Sequence, residues 1–444
     1  MIKSGWDIYL IFSKPSFKNV ISNIFAETNI LLIEDIQPLD RNINRIESPI
    51  TYHELRSCDR ILRNTPWEKC FQLFDYSTHM ISNFLKNNKI HIISSGRDTW
   101  LQLLCLNICK NKKLLWMGAT YTKYPPDYSC FTSTYHAKDF ILNKTPLSTT
   151  KLAAKNLLEK IRLNKVKAPA KKAPTNSFEI FNTSSKKIKY FINNHGRNYL
   201  KDRKVWHSRF KLLWLVKKFL SHHLNYIVVN SKFKKELPSE PYVLYPLHKQ
   251  PESAIDVQGK DYSDQLTTIK SIRKQLPAKY RLAVKVHKSA TTEVTKNFLS
   301  EIKNIGKISI LDSSLDMSVL ISKSEAIITV CGSTGYEAAL FGKPVLTLVD
   351  MFWSKFPTVK VCGNLKNLKE DLDTVIKASK MPESELKKLT IYHLAYIMEN
   401  SYHCLINRSF QNKSLLIEDL KKLELAYHEH YLYYNTINIQ RTQE

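Results

Sequence analysis

The sequence predicts an α/β fold whose second half is a doubly wound parallel sheet, and three observations carry that prediction. From Pro241 onward, short apolar, β-branched runs alternate with amphipathic helical periods. The run Ala326–Val330 passes through a turn of small residues, Gly332-Ser333-Thr334-Gly335, into a short helix at Tyr336–Phe341 that Gly342 and Pro344 stop. A second buried-type strand, Pro344–Val349, begins at once.

In chain order, Asp7–Phe12 and Ile30–Ile33 read as strands with a helix at Phe17–Phe25 between them. Residues 66–87 carry helical periodicity, His91–Ser95 is strand-like before a Gly96-Arg97-Asp98 turn, and Thr99–Cys109 returns to helix. Tyr121–Thr134, with prolines at 125 and 126, reads as a loop. Between about Lys160 and Lys189 the composition shifts to that of an exposed loop rich in Lys, Ala and Pro. Lys186–Leu220 is strongly basic. Within it Val205–Leu220 reads as a helix with Trp206, Phe210, Leu213 and Trp214 near one face. That pattern fits a core-facing helix with a solvated basic back, and also one lying on an anionic membrane.

In the second half, strands at Tyr242–Leu247, Arg281–Val286 and Ile308–Leu311 alternate with helices at Asp264–Leu276, Val294–Ile302 and Leu315–Ser322. Leu266, Ile269, Ile272 and Leu276 form the inward stripe of the first of these helices. Leu368–Ser379 is a further helix, and 384–444 reads as helical and as packing back on the rest. The expected domains are 1–235, carrying the basic loop 160–190, then 236–385, then the helices of 386–444.

Composition narrows the function classes. Lys+Arg number 67 against 40 Asp+Glu, a net charge of +27, which favours polyanions, anionic membrane surfaces or acidic small molecules. No apolar stretch approaches the ~20 residues that span a bilayer, and the N-terminus reads as a first strand, not a signal peptide. The eight cysteines are scattered with no Cys-x-x-Cys pair, as for reduced thiols in a cytoplasmic protein, so zinc is not expected. Nucleic-acid binding ranks last, because no zinc pattern or RNA-binding signature accompanies the charge.

In open α/β sheets ligands bind beyond the carboxyl ends of the strands, so the residues after each strand are the candidates. They are His248-Lys249-Gln250-Pro251-Glu252-Ser253, then His287-Lys288, then Gly332-Ser333-Thr334-Gly335. A helix start behind small residues offers N–H donors to an anion, and Ser333 and Thr334 add hydroxyls. Glu337, read as inside the first turn, can accept from a sugar hydroxyl. A nucleotide-activated substrate needs this mixture of cationic donors, an anion nest and a carboxylate.

These segments follow one another in a familiar order. Tyr242–Ser253, Asp264-Gln265-Leu266, Leu276-Pro277, Val284–His287 and Ile327–Pro344 together resemble the capsule polysaccharide biosynthesis family, itself similar to bacterial transferases of the acidic sugar Kdo. The resemblance implies a GT-B-type glycosyltransferase: two Rossmann-like domains facing across a cleft, with C-terminal helices packing back. It implies a nucleotide-linked donor, CMP-linked in Kdo-transferring relatives; no further cofactor is expected, and no metal, since lysine, histidine and helix-end N–H groups can neutralise the leaving phosphate. By position, His287, Ser333 and Thr334 would hold the nucleotide phosphate, and Glu337 the ribose; Lys288, Gly332 and Gly335 are expected to bind the phosphate beside them. Glu252 and His248 would be catalytic, with Gln250 and Ser253 in the donor loop. Lys288 stands where relatives have proline, and Glu252 stands in a Gln-Pro-Glu-Ser setting.

The expected activity is transfer of a Kdo-like or sialic-like sugar to a glycan or lipid-linked acceptor during surface polysaccharide synthesis. The expected place is the cytoplasm, peripheral at the inner membrane face. The alternatives are a nucleotide-sugar epimerase and a non-catalytic scaffold for capsule assembly.

Overall fold

The computed structural model describes residues 6–13, 25–34, 36, 50–59, 61–166, 182, 185, 233–234, 236–250, 252–287, 294–404 and 417–443. The expected helix at Phe17–Phe25 lies outside them except for its last residue, and the expected helix at Val205–Leu220 lies wholly outside. The chain divides into two compact units, 1–117 with 178–220, and 118–177 with 221–444.

In the first unit, strands β1 (Leu10–Phe12) and β2 (Ile30–Leu32) pair in parallel. Three helices follow: α1 (Tyr52–Cys58), α2 (Trp67–Asn87) and α3 (Trp100–Asn111). Strand β3 (Ile92–Ser95) precedes α3, and β4 (Leu115–Tyr121) follows it, passing from the first unit into the second. Both α1 and α3 start on capping boxes, Thr51 with Glu54 and Thr99 with Gln102, which satisfy donors the helix ends leave open. Leu55, Leu73, Phe74, Ile81, Trp100 and Ile108 fill this unit's interior.

In the second unit, the end of β4 pairs antiparallel with β5 (Ser129–Thr132), from Gly118 opposite Thr132 to Tyr121 opposite Ser129. Much of the stretch read as a loop is thus a hairpin. The larger sheet has six parallel strands: β6 (Tyr242–Pro246), β7 (Arg281–Lys285), β8 (Ile308–Leu311), β9 (Ala326–Thr329), β10 (Val345–Thr347) and β11 (Val359–Val361). Their order across the sheet is β11-β10-β9-β6-β7-β8. Counted from β6 this is 3-2-1-4-5-6, the order of dinucleotide-binding Rossmann sheets. The α/β class is therefore as the sequence predicts. Every residue of β6 and β9 is buried, as befits central strands covered on both faces.

Helices α4 (Ser148–Arg162), α5 (Gln265–Gln275), α6 (Lys296–Lys303), α7 (Met317–Lys323), α8 (Ser333–Leu340) and α9 (Leu368–Ala378) belong to this unit, followed by α10 (Glu383–Glu399) and α11 (Ile417–Gln443). Ala154, Leu158 and Ile161 give α4 the apolar stripe by which it packs against α10. The segment 148–162 therefore joins the second unit, although composition places it in the first domain. The C-terminal helices do pack back. Tyr402 forms an antiparallel bridge with Ser129, and Tyr402 Oη and Lys144 Nζ both donate to Glu429 on α11 at 2.6 Å. His430, one residue on, is buried against Phe131 and Tyr402.

All eight cysteines are buried free thiols. Among the described residues no helix is long and apolar enough to cross a membrane.

Candidate functional site

The direction of strand progression reverses between β6 and β9, and a crevice opens at such a switch point beyond the strand ends. The second unit has a cavity there of about 310 Å³. Its lining includes His248, Lys249, Glu252 and Ser253 after β6, Lys285 and His287 at the end of β7, and Gly332, Ser333 and Thr334 after β9. Three loops separated in sequence thus meet on one sheet edge. The β4–β5 hairpin supplies a fourth wall, Thr120 to Lys123. Thr122 Oγ1 donates to the carbonyls of Pro125 and Tyr128 at 3.1 Å, and Tyr336 Oη to that of Tyr124 at 2.8 Å. The Thr122 bonds close the hairpin's tip on itself, and the Tyr336 bond fastens that tip to the base of the cavity, where Tyr336 stacks on Trp353.

Helix α8 begins at Ser333, with Gly332 as N-cap, so Ser333 and Thr334 are the first helical residues and not part of the turn. Among the described residues no side chain caps this end; the Gly332 N–H donates back to Thr329 Oγ1 at 3.1 Å. The first N–H groups of the helix, lacking intrahelical acceptors, sit where the helix dipole favours an anion. The earlier helix start also moves Glu337 into the second turn; it is half-buried and does not line the cavity. The two glycines differ in kind. A Cβ on Gly332 would lie 3.2 Å from His248 Cε1, so glycine here lets the imidazole close over the loop. A Cβ on Gly335 would lie 2.7 Å from the Trp353 ring and 2.8 Å from Thr329 Cγ2, so that glycine seats the helix on the sheet.

The His248 ring nitrogen Nε2 is buried and has no hydrogen-bond partner among the described residues. Burial, helped by the nearby His287, pushes its pKa down to about 4, so the ring is neutral near pH 7. A neutral imidazole with an unused nitrogen is better fitted to hydrogen-bond a ligand than to carry a charge. Lys285 is only 2% exposed, and its Nζ donates to the Ser313 carbonyl at 3.1 Å. Cys331 also lines the cavity, but its Sγ–H donates to the Ala254 carbonyl at 2.7 Å, and burial pushes its thiol pKa up. It is a brace, not a nucleophile. Glu252 is exposed at the cavity wall.

The structure therefore brings His248, Glu252, Ser253, His287, Gly332, Ser333 and Thr334 together around one cavity. Gln250, Gly335 and Glu337 are not among its lining residues, and Lys288 lies outside the described residues. Sequence reasoning misses Thr120, Thr122, Lys123 and Lys285. Lys285 leaves a trace, as the one charge closing an apolar strand; the hairpin residues leave none. Among the described residues no cluster of three or more His, Cys, Asp or Glu side chains is placed to hold a metal ion.

No curated protein matches the sequence. Among solved structures, Thermosulfurimonas dismutans KpsC, a beta Kdo 2,7 transferase, is similar at 11% identity and a TM-score of 0.34, covering 66% of this chain and 80% of that one. The beta Kdo 2,4 transferase of the same KpsC is similar at 13% and 0.36, covering 64% and 78%. UDP-GlcNAc 2-epimerase from Neisseria meningitidis, bound to UDP-GlcNAc, is similar at 13% and 0.27, covering 88% and 90%. The sequence profile of the family described as capsule polysaccharide biosynthesis protein matches residues 149–356, the segment that carries β6 to β10 and three walls of the cavity.

Proposed function

We propose that the protein is a GT-B-type glycosyltransferase of surface polysaccharide synthesis, using a nucleotide-linked sugar donor bound in the cavity between β6 and β9. The observation that carries this reading is the composition of that cavity. Lys123, Lys249, Lys285 and His287 gather there with the N-terminus of α8, and among the described residues Glu252 is the one carboxylate in the lining. Such a wall neutralises the phosphate of a departing nucleotide, because fixed donors need no reorganisation as charge develops. The family match of residues 149–356 supports the same class.

In this reading, Ser333, Thr334 and the first N–H groups of α8 hold the nucleotide phosphate, and Lys285 balances its charge from below. His248 donates or accepts one hydrogen bond through Nε2 and orients the donor. Glu252 serves as nucleophile, acid or base as the acceptor hydroxyl displaces the nucleotide at the anomeric carbon. The abundance of cations favours a donor whose sugar is itself acidic, such as a CMP-linked Kdo-like or sialic-like sugar. The net charge of +27 favours an anionic glycan or lipid-linked acceptor and association with the inner membrane face.

The test is nucleotide release from a panel of CMP-, UDP- and GDP-sugars, with and without a capsular oligosaccharide acceptor, in the parent and in Glu252→Gln. Acceptor-dependent release of one nucleotide, reduced at least a hundredfold in the variant, is expected. Conversion of a nucleotide sugar without acceptor would replace the transferase with an epimerase, and no turnover in any combination would refute catalysis by this site.

A further inference from the structure

The loop that bears both His248 and Glu252 is positioned by a side chain that does not reach the cavity. Gln265, the first residue of α5, is only 8% exposed. Its Oε1 accepts from the His248 N–H at 2.7 Å, and its Nε2 donates to the His248 carbonyl at 3.0 Å. One amide thus satisfies both backbone groups of His248, as a neighbouring strand would do at a point where the sheet has ended.

The same Nε2 also donates to Gln250 Oε1 at 2.8 Å. That fixes the sense of the Gln250 amide, whose Nε2 then donates to Asp256 Oδ1 at 3.0 Å and to the Ser263 carbonyl at 2.9 Å. The other carboxylate oxygen, Asp256 Oδ2, accepts from the Glu252 N–H at 2.9 Å. A polar relay therefore runs from α5 through Gln250 and Asp256 to the backbone of Glu252. Its polarity is set throughout, because Asp256 has only acceptors to offer and Gln265 must present an acceptor to one N–H and donors to two oxygens. Behind the relay, Cys331 holds the Ala254 carbonyl, and Gly259 is packed so closely that a Cβ would lie 2.4 Å from Val330 Cγ1.

We infer that Gln265 is a positioning residue for the site, acting through Gln250 and Asp256 to hold His248 and Glu252 at their places on the cavity wall. The relay itself is independent of the reaction; its bearing on catalysis rests on the glycosyltransferase reading. Gln250 belongs to this relay, which accounts for its absence from the cavity lining. Loss of the clamp at His248 lets the loop lift, admits water to the imidazole, and withdraws the cause of its low pKa.

The test follows the His248 ring by NMR in protein carrying 13C-labelled histidine, its signal identified by its loss in His248→Asn. In the full-length chain, Gln265→Leu and Asp256→Ala should each raise the His248 titration midpoint by at least one pH unit. The double variant should raise it no further than the larger single shift, because both act on one relay. Gln265→Glu, which keeps the acceptor but turns an oxygen toward the His248 carbonyl and Gln250 Oε1, should behave as Gln265→Leu does. Acceptor-dependent nucleotide release should fall at least tenfold in each. A His248 midpoint unchanged in folded Gln265→Leu, or shifts that simply add in the double variant, would overturn the inference. If Gln265→Leu does not fold, Asp256→Ala alone decides it by the same midpoint. Absence of turnover in the parent would defeat the glycosyltransferase reading while leaving the titration result to judge the relay.

Discussion

Replacing Gly335 with alanine separates two explanations of a small-residue turn. A glycine inside a helix ordinarily costs up to about 1 kcal/mol relative to alanine, so in open space Gly335→Ala would stabilise the protein. Here the new methyl carbon would lie 2.7 Å from Trp353 Cη2 and 2.8 Å from Thr329 Cγ2. Neither neighbour yields easily: the indole is buried against Tyr336, and Thr329 is a fully buried, β-branched strand residue. Overpacking of this kind costs roughly 1–3 kcal/mol, which outweighs the helical gain. At about 2–4 °C per kcal/mol for a domain of this order of size, the expected fall in Tm is several degrees. The companion variant Gly332→Ala meets Thr329 Oγ1 at 2.9 Å and the His248 ring at 3.2–3.5 Å. It should displace the imidazole and reduce nucleotide affinity at least tenfold. Thermal unfolding by circular dichroism and calorimetric titration below Tm distinguish the two. A Gly335→Ala protein as stable as its parent, or one that loses nucleotide as completely as Gly332→Ala, would refute the division of roles.

Two further outcomes follow from the buried polar groups. His248, His136, His393 and His430 are all held below the ordinary histidine range, chiefly by burial. The unfolded chain therefore binds more protons in acid, and the stability these rings confer is full above about pH 6.5 and is lost as pH falls toward 4. His248 alone accounts for up to about 3 kcal/mol of that loss; urea midpoints measured from pH 7 to pH 4.5 should fall steadily, and less steeply in His248→Asn, while a flat profile would contradict the argument. Tyr336→Phe removes the 2.8 Å bond to the Tyr124 carbonyl and leaves a buried acceptor behind, at a cost of about 1–3 kcal/mol. Its urea midpoint should drop with the fold retained, and an unchanged midpoint would show that the hairpin is fastened by other means.

The second-half sheet is legible in the sequence because buried parallel strands read as uninterrupted apolar runs. Tyr242–Pro246 and Ala326–Thr329 are such runs, and the loops after them are the site loops. The β4–β5 hairpin is hidden, since paired prolines and polar residues mask short strands whose pairing is set by distant contacts such as Ser129 with Tyr402. Helix α4 has a readable stripe in Ala154, Leu158 and Ile161, but the Lys-rich composition that follows draws attention away from it. Side-chain destinations are the least legible. In α5 the pattern points to Leu266 as an inward residue, yet Gln265 is the more buried, because the carbonyl and N–H of His248 need an amide there. Likewise Gly332 and Gly335 look alike in sequence, yet one caps α8 beneath the His248 ring and the other lies inside the helix against Trp353 and Thr329.

The central claim, a nucleotide phosphate held beyond β6, β7 and β9, is tested most directly by calorimetric titration of CMP, CDP, UDP, GDP and ADP into the parent, His287→Ala and Ser333→Ala. The account predicts selective binding of one nucleotide, CMP for an acidic-sugar donor. Ser333→Ala should weaken it at least about tenfold, the loss of one hydrogen bond to an ionised phosphate, and His287→Ala by at least as much. Binding of no nucleotide, or binding that both variants leave unchanged, would contradict it.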